Sequence, residues 1–280
     1  MGVEETALGV GLIGCGSIGT VLAQAIDKGK AGKTRLIMVY DLNFKKAEAL
    51  AGKLVNKPRV ATTFKELLEC GEIELIIEAA SQEAVRQYST KILEANRDLM
   101  IMSVGALVDG NLLKEIQHKA QEKDRKVYIP SGAIAGLDGV KASSLTKIKK
   151  VILLTKKPPE GLKGAPYIKQ RGIKLSELSK PTLIYRGPAS EACKLFPANV
   201  NVAAALSLVG VGPEKTEVRI MVDPRIRRNI HEVRVLGSFG ELITRTRNVP
   251  SPDNPKTSYL AALSAVATLK KVTENILIGT

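Results

Sequence analysis

The chain has 280 residues, 44% hydrophobic and 25% charged, a length and balance that suit two domains, each able to bury a core. No apolar run approaches the roughly 20 residues needed to cross a bilayer, and no basic-then-apolar leader is visible, so a membrane protein is excluded and a cytoplasmic one expected. The net charge of +14 is one-sided, with 17 basic and 17 acidic side chains in residues 1–125 but 25 and 11 in residues 126–280, which suggests a small anionic partner; with 4% aromatic residues and no tryptophan, a nucleic-acid stacking surface is disfavoured.

Leu8 to Ile13 are almost wholly apolar and run into Gly14-Cys15-Gly16-Ser17-Ile18-Gly19, then into a stretch with helical spacing at Ile18, Leu22, Ala25 and Ile26. Strand, glycine turn and helix in that order present backbone N–H groups and the positive helix end to a dinucleotide pyrophosphate. Gly14 makes the turn, Gly16 admits the phosphate and Gly19 lets helix and strand approach, so Gly14, Cys15, Gly16, Ser17 and Ile18 are candidate coenzyme contacts. The Cys15 thiol is either a small group filling the turn or one whose pKa the helix end lowers. Arg35 to Tyr40 form a second strand ending in Asp41, about 20 residues past the last glycine, where a carboxylate binds a ribose 2′-OH. Asp41 favours NAD, Lys45 and Lys46 leave NADP open, and Asp41 also suits capping of a helix over 43–54.

Helix and strand then alternate: a helix over 64–70, a strand over 74–80, a helix over 82–94 and a strand over 99–103. This is the pattern of a doubly wound parallel sheet, whose ligands bind beyond the carboxyl ends of the strands, so Ala80 and Ser103 are expected to line the nicotinamide half of the site. A charge-laced helix over 111–126 carries His118, read as a solvated surface residue. After a short strand at Val127 to Ile129, small residues crowd the turn from Ser131 to Gly136, where backbone can approach a ligand.

From Lys149 the character changes. A strand over 151–155 leads into a loop over 156–172 rich in proline, glycine and lysine, followed by a strand over 183–186 and a helix over 189–196. Asn199 and Asn201 open an apolar helix ending near Gly210, as caps or as neutral groups facing a site. Segments 217–222, 229–236 and 239–246 predict an antiparallel meander, and Asn254-Pro255 predicts a final helix through Lys271. The fold class expected is α/β: an N-terminal Rossmann doubly wound parallel sheet over 1–130, joined by the helix at 254–275, and a second α+β open-sheet domain over 131–253 that carries substrate, catalysis and dimerisation.

His231 is the candidate catalytic residue. Period-two alternation puts it on the covered side of its strand with Val233 and Val235, whereas Glu232 and Arg234 face outwards. It is one of two histidines in the chain, and a hydride-transfer reaction needs a proton acceptor titrating near neutrality. Cys15, Cys70 and Cys193 show no metal spacing and fit a reducing compartment; no metal is expected.

Together, the glycine turn, Ser103 to Leu107, Ile129 to Asp138, Leu195 to Ala203, Asp223-Pro224 with Asn229 to Glu232, and Pro252 to Ser258 resemble the L-aspartate dehydrogenase family along nearly the whole chain. The resemblance implies oxidation of a small dicarboxylic amino acid, L-aspartate, with NAD or NADP, in a dimeric enzyme supplying quinolinate and NAD synthesis. It makes His231 the acid/base and Ala135 and Asn201 coenzyme contacts. Ser131, Asn199 and Lys256, the last at the expected helix start, are assigned to the substrate carboxylates. The alternatives are a related reductase of homoserine or an imine, and a non-catalytic NAD-sensing protein that binds nucleic acid.

Overall fold

The computed structural model describes residues 7–197, 201–251 and 254–279, with backbone alone at 254–256. It divides into two compact units, one formed by residues 1–106, 110–130 and 262–278, the other by residues 107–109, 131–261 and 279–280.

The first unit alternates strand and helix: β1 (Leu8–Ile13), α1 (Ser17–Asp27), β2 (Thr34–Tyr40), α2 (Phe44–Lys53), β3 (Arg59–Val60), α3 (Phe64–Glu69), β4 (Leu75–Glu78), α4 (Gln82–Glu94), β5 (Asp98–Ile101), α5 (Gly110–Glu122) and β6 (Val127–Tyr128). Among the described residues the strands form one parallel sheet of order β3-β2-β1-β4-β5-β6, the doubly wound Rossmann arrangement. Such a sheet is covered on both faces, which is why β1 and β4 are apolar or buried at almost every position rather than alternating. Val10, Leu12, Leu22, Ile26, Val39, Leu50 and Ile77 pack in its core.

The second unit contains α6 (Leu137–Ser143), β7 (Ile148–Lys157), α7 (Pro166–Gln170), β8 (Thr182–Pro188), α8 (Ala189–Leu195), α9 (Asn201–Val209), β9 (Thr216–Val222), β10 (Asn229–Gly237), β11 (Gly240–Asn248), β12 (Pro250–Ser251) and β13 (Asn254–Ser258). Its sheet has the order β11-β10-β7-β9-β8 among the described residues. The expected meander is corrected here. β10 and β11 do form an antiparallel hairpin, but β9 pairs parallel with β7, and β7 lies between β9 and β10. Alternation marks a strand's covered face without naming its neighbour, and the six residues between β9 and β10 allow β9 to leave the hairpin.

Two further expectations change. Lys156 and Lys157, read as the start of a loop, continue β7, and the 156–172 segment holds α7 and a short 3₁₀ turn, Pro159–Leu162. The helix expected from Asn254 begins instead at Tyr259, as α10 (Tyr259–Thr273), because residues 254–258 pair as β13 with β12. The Asn-Pro start signal is outweighed by this antiparallel ladder, and the Tyr259 N–H closes on the Val249 carbonyl at 3.0 Å. Ala265 and Leu269 of α10 belong to the core of the first unit.

Candidate active site

In the first unit, the glycine turn has the geometry its sequence implies. Gly14 has φ +94°, and a Cβ there would lie 2.6 Å from the Ala79 carbonyl oxygen. A Cβ on Gly19 would collide with the Gly14 carbonyl, so α1 could not sit this close to β1 with any other residue. Gly16, by contrast, faces open space: nothing lies within 4 Å of its Cβ position. It is also the N-cap of α1 and supplies no side-chain hydrogen bond, which leaves the positive helix end available to an anion. Ser17 and Ile18 follow in the first turn, both partly exposed.

Gly14, Gly16, Asp41, Lys46, Ala80 and Ser81 line one cavity of about 340 Å³ at the carboxyl ends of β1, β2 and β4. Asp41 accepts hydrogen bonds from the Cys15 and Asn43 backbone N–H groups, both at 2.8 Å, so it ties the glycine turn to the start of α2, whose N-cap is Asn43. A carboxylate has about four acceptor positions, and Asp41 therefore retains capacity for a ribose hydroxyl. The Cys15 thiol is not activated by the helix end: burial, then the Asp41 charge, pushes it up to about 12. An open phosphate approach, an uncapped helix end and a carboxylate at the second strand together fit a dinucleotide.

Glu78, which the sequence does not single out, braces the strand ends beside this cavity. It ends β4, is 1% exposed, and its Oε1 accepts from the Ala80 N–H (2.8 Å), the Ser81 N–H (2.9 Å) and the Ser103 hydroxyl (2.8 Å). Its Oε2 accepts from the Ser103 N–H at 3.0 Å. Burial pushes this carboxyl up, against four donors that favour the ionised form. One buried acid thus joins the two strand ends where Ala80 and Ser103 sit. A glutamate closing an otherwise apolar strand was the available signal.

In the second unit, His231 lies on the covered face of β10 and is 3% exposed, with Val233 and Val235 buried beside it and Arg234 exposed. The strand register sets Thr155 on one side of it and Thr246 on the other. Thr155 Oγ1 is 3.0 Å from His231 Nδ1. If Nδ1–H donates to Thr155, Nε2 is left as a bare acceptor, the tautomer a general base requires. Burial and the nearby Lys157 charge lower the His231 pKa from 6.5 to about 3. Enclosure removes the water that would solvate the cation and so favours the neutral ring. His118 is exposed on α5, as expected of a surface residue.

The turn from Ser131 to Gly136 is held against the same part of the sheet. Thr244 donates to the Ala135 carbonyl (2.9 Å), and Thr246 (2.9 Å) and Asn248 (2.8 Å) both donate to that of Ala133. A Cβ on Gly132 would lie 3.5 Å from Val202, so the turn also abuts the start of α9, where Asn201 is the first residue. Ser131, Ala135, Asn201 and His231 are thus gathered within this unit. Asn199 and the Lys256 side chain fall outside the described residues, and with β13 extended no helix start lies at Asn254 to Thr257.

The aspartate dehydrogenase C-terminal domain model matches residues 138–272, and the model of the homoserine dehydrogenase NAD-binding domain matches residues 14–130. The chain is 50% identical over 273 residues to the L-aspartate dehydrogenase of Methanosarcina barkeri, covering 98% of this chain and 100% of that protein. It is 51% identical over 271 residues to that of Methanocella arvoryzae, covering 97% and 99%. Among solved structures, aspartate dehydrogenase from Thermotoga maritima superposes with a TM-score of 0.75 at 29% identity, over 97% of this chain and 99% of that one.

Proposed function

The chain belongs to the L-aspartate dehydrogenase family, and on that premise we propose that the protein oxidises L-aspartate to iminoaspartate with NAD or NADP, with His231 as the proton acceptor. The observation that carries this reading is the imidazole of His231, enclosed on the covered face of β10 with Nδ1 3.0 Å from Thr155 Oγ1, an arrangement that leaves Nε2 as the acceptor when Nδ1–H donates to the hydroxyl. The bound coenzyme supplies a nicotinamide ring that accepts the Cα hydrogen as hydride. The chain itself must remove a proton from the substrate ammonium so that the nitrogen lone pair can drive that departure. Nε2 of His231 takes this proton as one N–H bond breaks; the iminium product then hydrolyses to oxaloacetate and ammonium.

Gly14, Cys15, Gly16, Ser17, Ile18 and Asp41 are assigned to the adenosine and pyrophosphate portion, and Ala80, Ser103, Ala135 and Asn201 to the remainder of the coenzyme. The open Gly16 position and the Asp41 carboxylate support the former, and the Glu78 brace supports the latter for Ala80 and Ser103. Ser131, Asn199 and Lys256 are assigned to the two substrate carboxylates. In this reading the first unit serves the coenzyme, and the second serves substrate, catalysis and dimerisation. A homodimer feeding quinolinate and NAD synthesis is the family expectation, and three free cysteines support a reducing, cytoplasmic setting.

The experiment is to follow reduced coenzyme with L-aspartate, homoserine and L-alanine, using NAD and then NADP, with wild type and His231→Ala. Loss of a general base lowers turnover about 10²–10⁴-fold. Coenzyme binding should be retained. Full turnover in His231→Ala refutes the assignment, and turnover of homoserine in place of aspartate refutes the substrate.

A further inference from the structure

The cavity at the carboxyl ends of β1, β2 and β4 carries both signs of charge on one short stretch of chain. Asp41 follows β2, and Lys46, the third residue of α2, lines the same cavity. Each Asp41 oxygen already accepts a backbone N–H at 2.8 Å, one from Cys15 and one from Asn43, so the carboxylate is fixed in orientation and its charge is partly offset by those donors. The Lys46 charge is felt at the Cys15 thiol, where it opposes the upward push of burial and of Asp41. The two charges thus flank one opening. Glu83, exposed in the first turn of α4, is the other acid on the wall.

Lys46 stands where local preference would not put it. The first turn of α2 holds no acid and two exposed lysines, Lys45 and Lys46, at the helix end where a cation is disfavoured. The i+3 and i+4 neighbours of Lys46 are Ala49 and Leu50, so its own helix gives it no acid to pair with. Stability of α2 alone would favour Asp or Glu at this position. A lysine on the cavity wall beside Asp41 instead suits an anion arriving where the ribose hydroxyl is bound, and the coenzyme group that differs there is the 2′-phosphate.

We propose that Lys46 is the residue through which this cavity accepts a coenzyme 2′-phosphate, so that Asp41 and Lys46 together admit both NAD and NADP. The inference rests on the reading of the cavity as the coenzyme site. A ribose 2′-hydroxyl donates to Asp41, whose oxygens keep acceptor capacity beside their two N–H donors. A 2′-phosphate brings negative charge to the same place, and the carboxylate alone repels it. Lys46 offsets that repulsion with a charge-assisted N–H···O bond. Its side chain is long, unbranched and exposed, so it returns to water when the hydroxyl form is bound.

The test is a fluorescence titration with NADH and NADPH on wild type, Lys46→Ala, Lys46→Glu, Lys46→Arg and Lys45→Ala, read as the ratio of the NADPH to the NADH dissociation constant. Loss of one charge-assisted bond should raise that ratio about tenfold or more in Lys46→Ala, and reversal of the charge should raise it further in Lys46→Glu. Lys46→Arg, whose guanidinium also donates to phosphate, should stay near wild type. Adenosine 2′,5′-bisphosphate should displace NADH from wild type better than AMP does, and lose that advantage in Lys46→Ala and at high salt. Thermal melts of Lys46→Glu at or above wild type will show an intact fold, since an acid suits this helix end. A ratio unmoved in Lys46→Ala and Lys46→Glu while NADH still binds overturns the inference and leaves the coenzyme reading standing. Wild type that binds NADH but not NADPH also overturns it, as does a Lys45→Ala effect equal to that of Lys46→Ala, which would mark diffuse charge rather than a contact. Wild type that binds neither coenzyme sinks the reading of the cavity itself.

Discussion

Replacing Glu78 by glutamine removes one oxygen from a buried site that has four donors aimed at it. The better amide orientation keeps the oxygen facing Ala80, Ser81 and the Ser103 hydroxyl, and turns NH₂ against the Ser103 N–H. One bond is lost and a buried N–H is left without an acceptor, at about 1–3 kcal/mol, while the three bonds that remain lose their charge assistance. Relief of the desolvation that pushes this carboxyl up acts in the opposite sense. The balance is a loss of roughly 2 kcal/mol, since single buried polar deletions fall in that range. Because Ala80 and Ser81 line the cavity proposed for the coenzyme, looser strand ends should also weaken coenzyme affinity by about tenfold, equivalent to 1.4 kcal/mol. Urea unfolding at constant m-value and a titration of reduced-coenzyme fluorescence read the two effects separately. A Glu78→Gln protein with wild-type midpoint and affinity would show that the carboxylate does not brace these strand ends.

Thr155→Val keeps the shape of the side chain but removes the oxygen 3.0 Å from His231 Nδ1. With a buried ring N–H left unsatisfied at about 1–3 kcal/mol and the tautomer no longer set, kcat should fall roughly 10–100-fold with coenzyme affinity unchanged. Steady-state kinetics at saturating coenzyme checks this, and an unchanged kcat would remove Thr155 from the site. Stability should also fall on acidification. The unfolded chain protonates His231 near its ordinary 6.5 whereas the folded chain resists until about 3, so stability present above pH 6.5 is lost as the pH drops through that window. From pH 6.5 to pH 4.5 the loss from this group is about 2–3 kcal/mol, and His231→Asn should flatten the slope by that amount in urea melts at the two pH values.

The features legible in the sequence are those that local geometry sets. Gly14, Gly16 and Gly19 were assigned three separate tasks from spacing alone, and the backbone supports each because turn, open approach and close packing are set within a few residues. Alternation in 229–236 likewise put His231 with Val233 and Val235, since a strand's two faces follow from its own geometry. Tertiary structure decided everything that depends on distant neighbours. β9 joined β7 rather than β10, and residues 254–258 paired with β12 instead of opening a helix. Glu78 gained two of its four donors from Ser103, 25 positions away. His231 met Thr155, 76 positions away, and its enclosure favours the neutral ring. A strand pattern specifies which side is covered, but pairing and desolvation are properties of the atoms that do the covering, and those arrive only when the chain has folded.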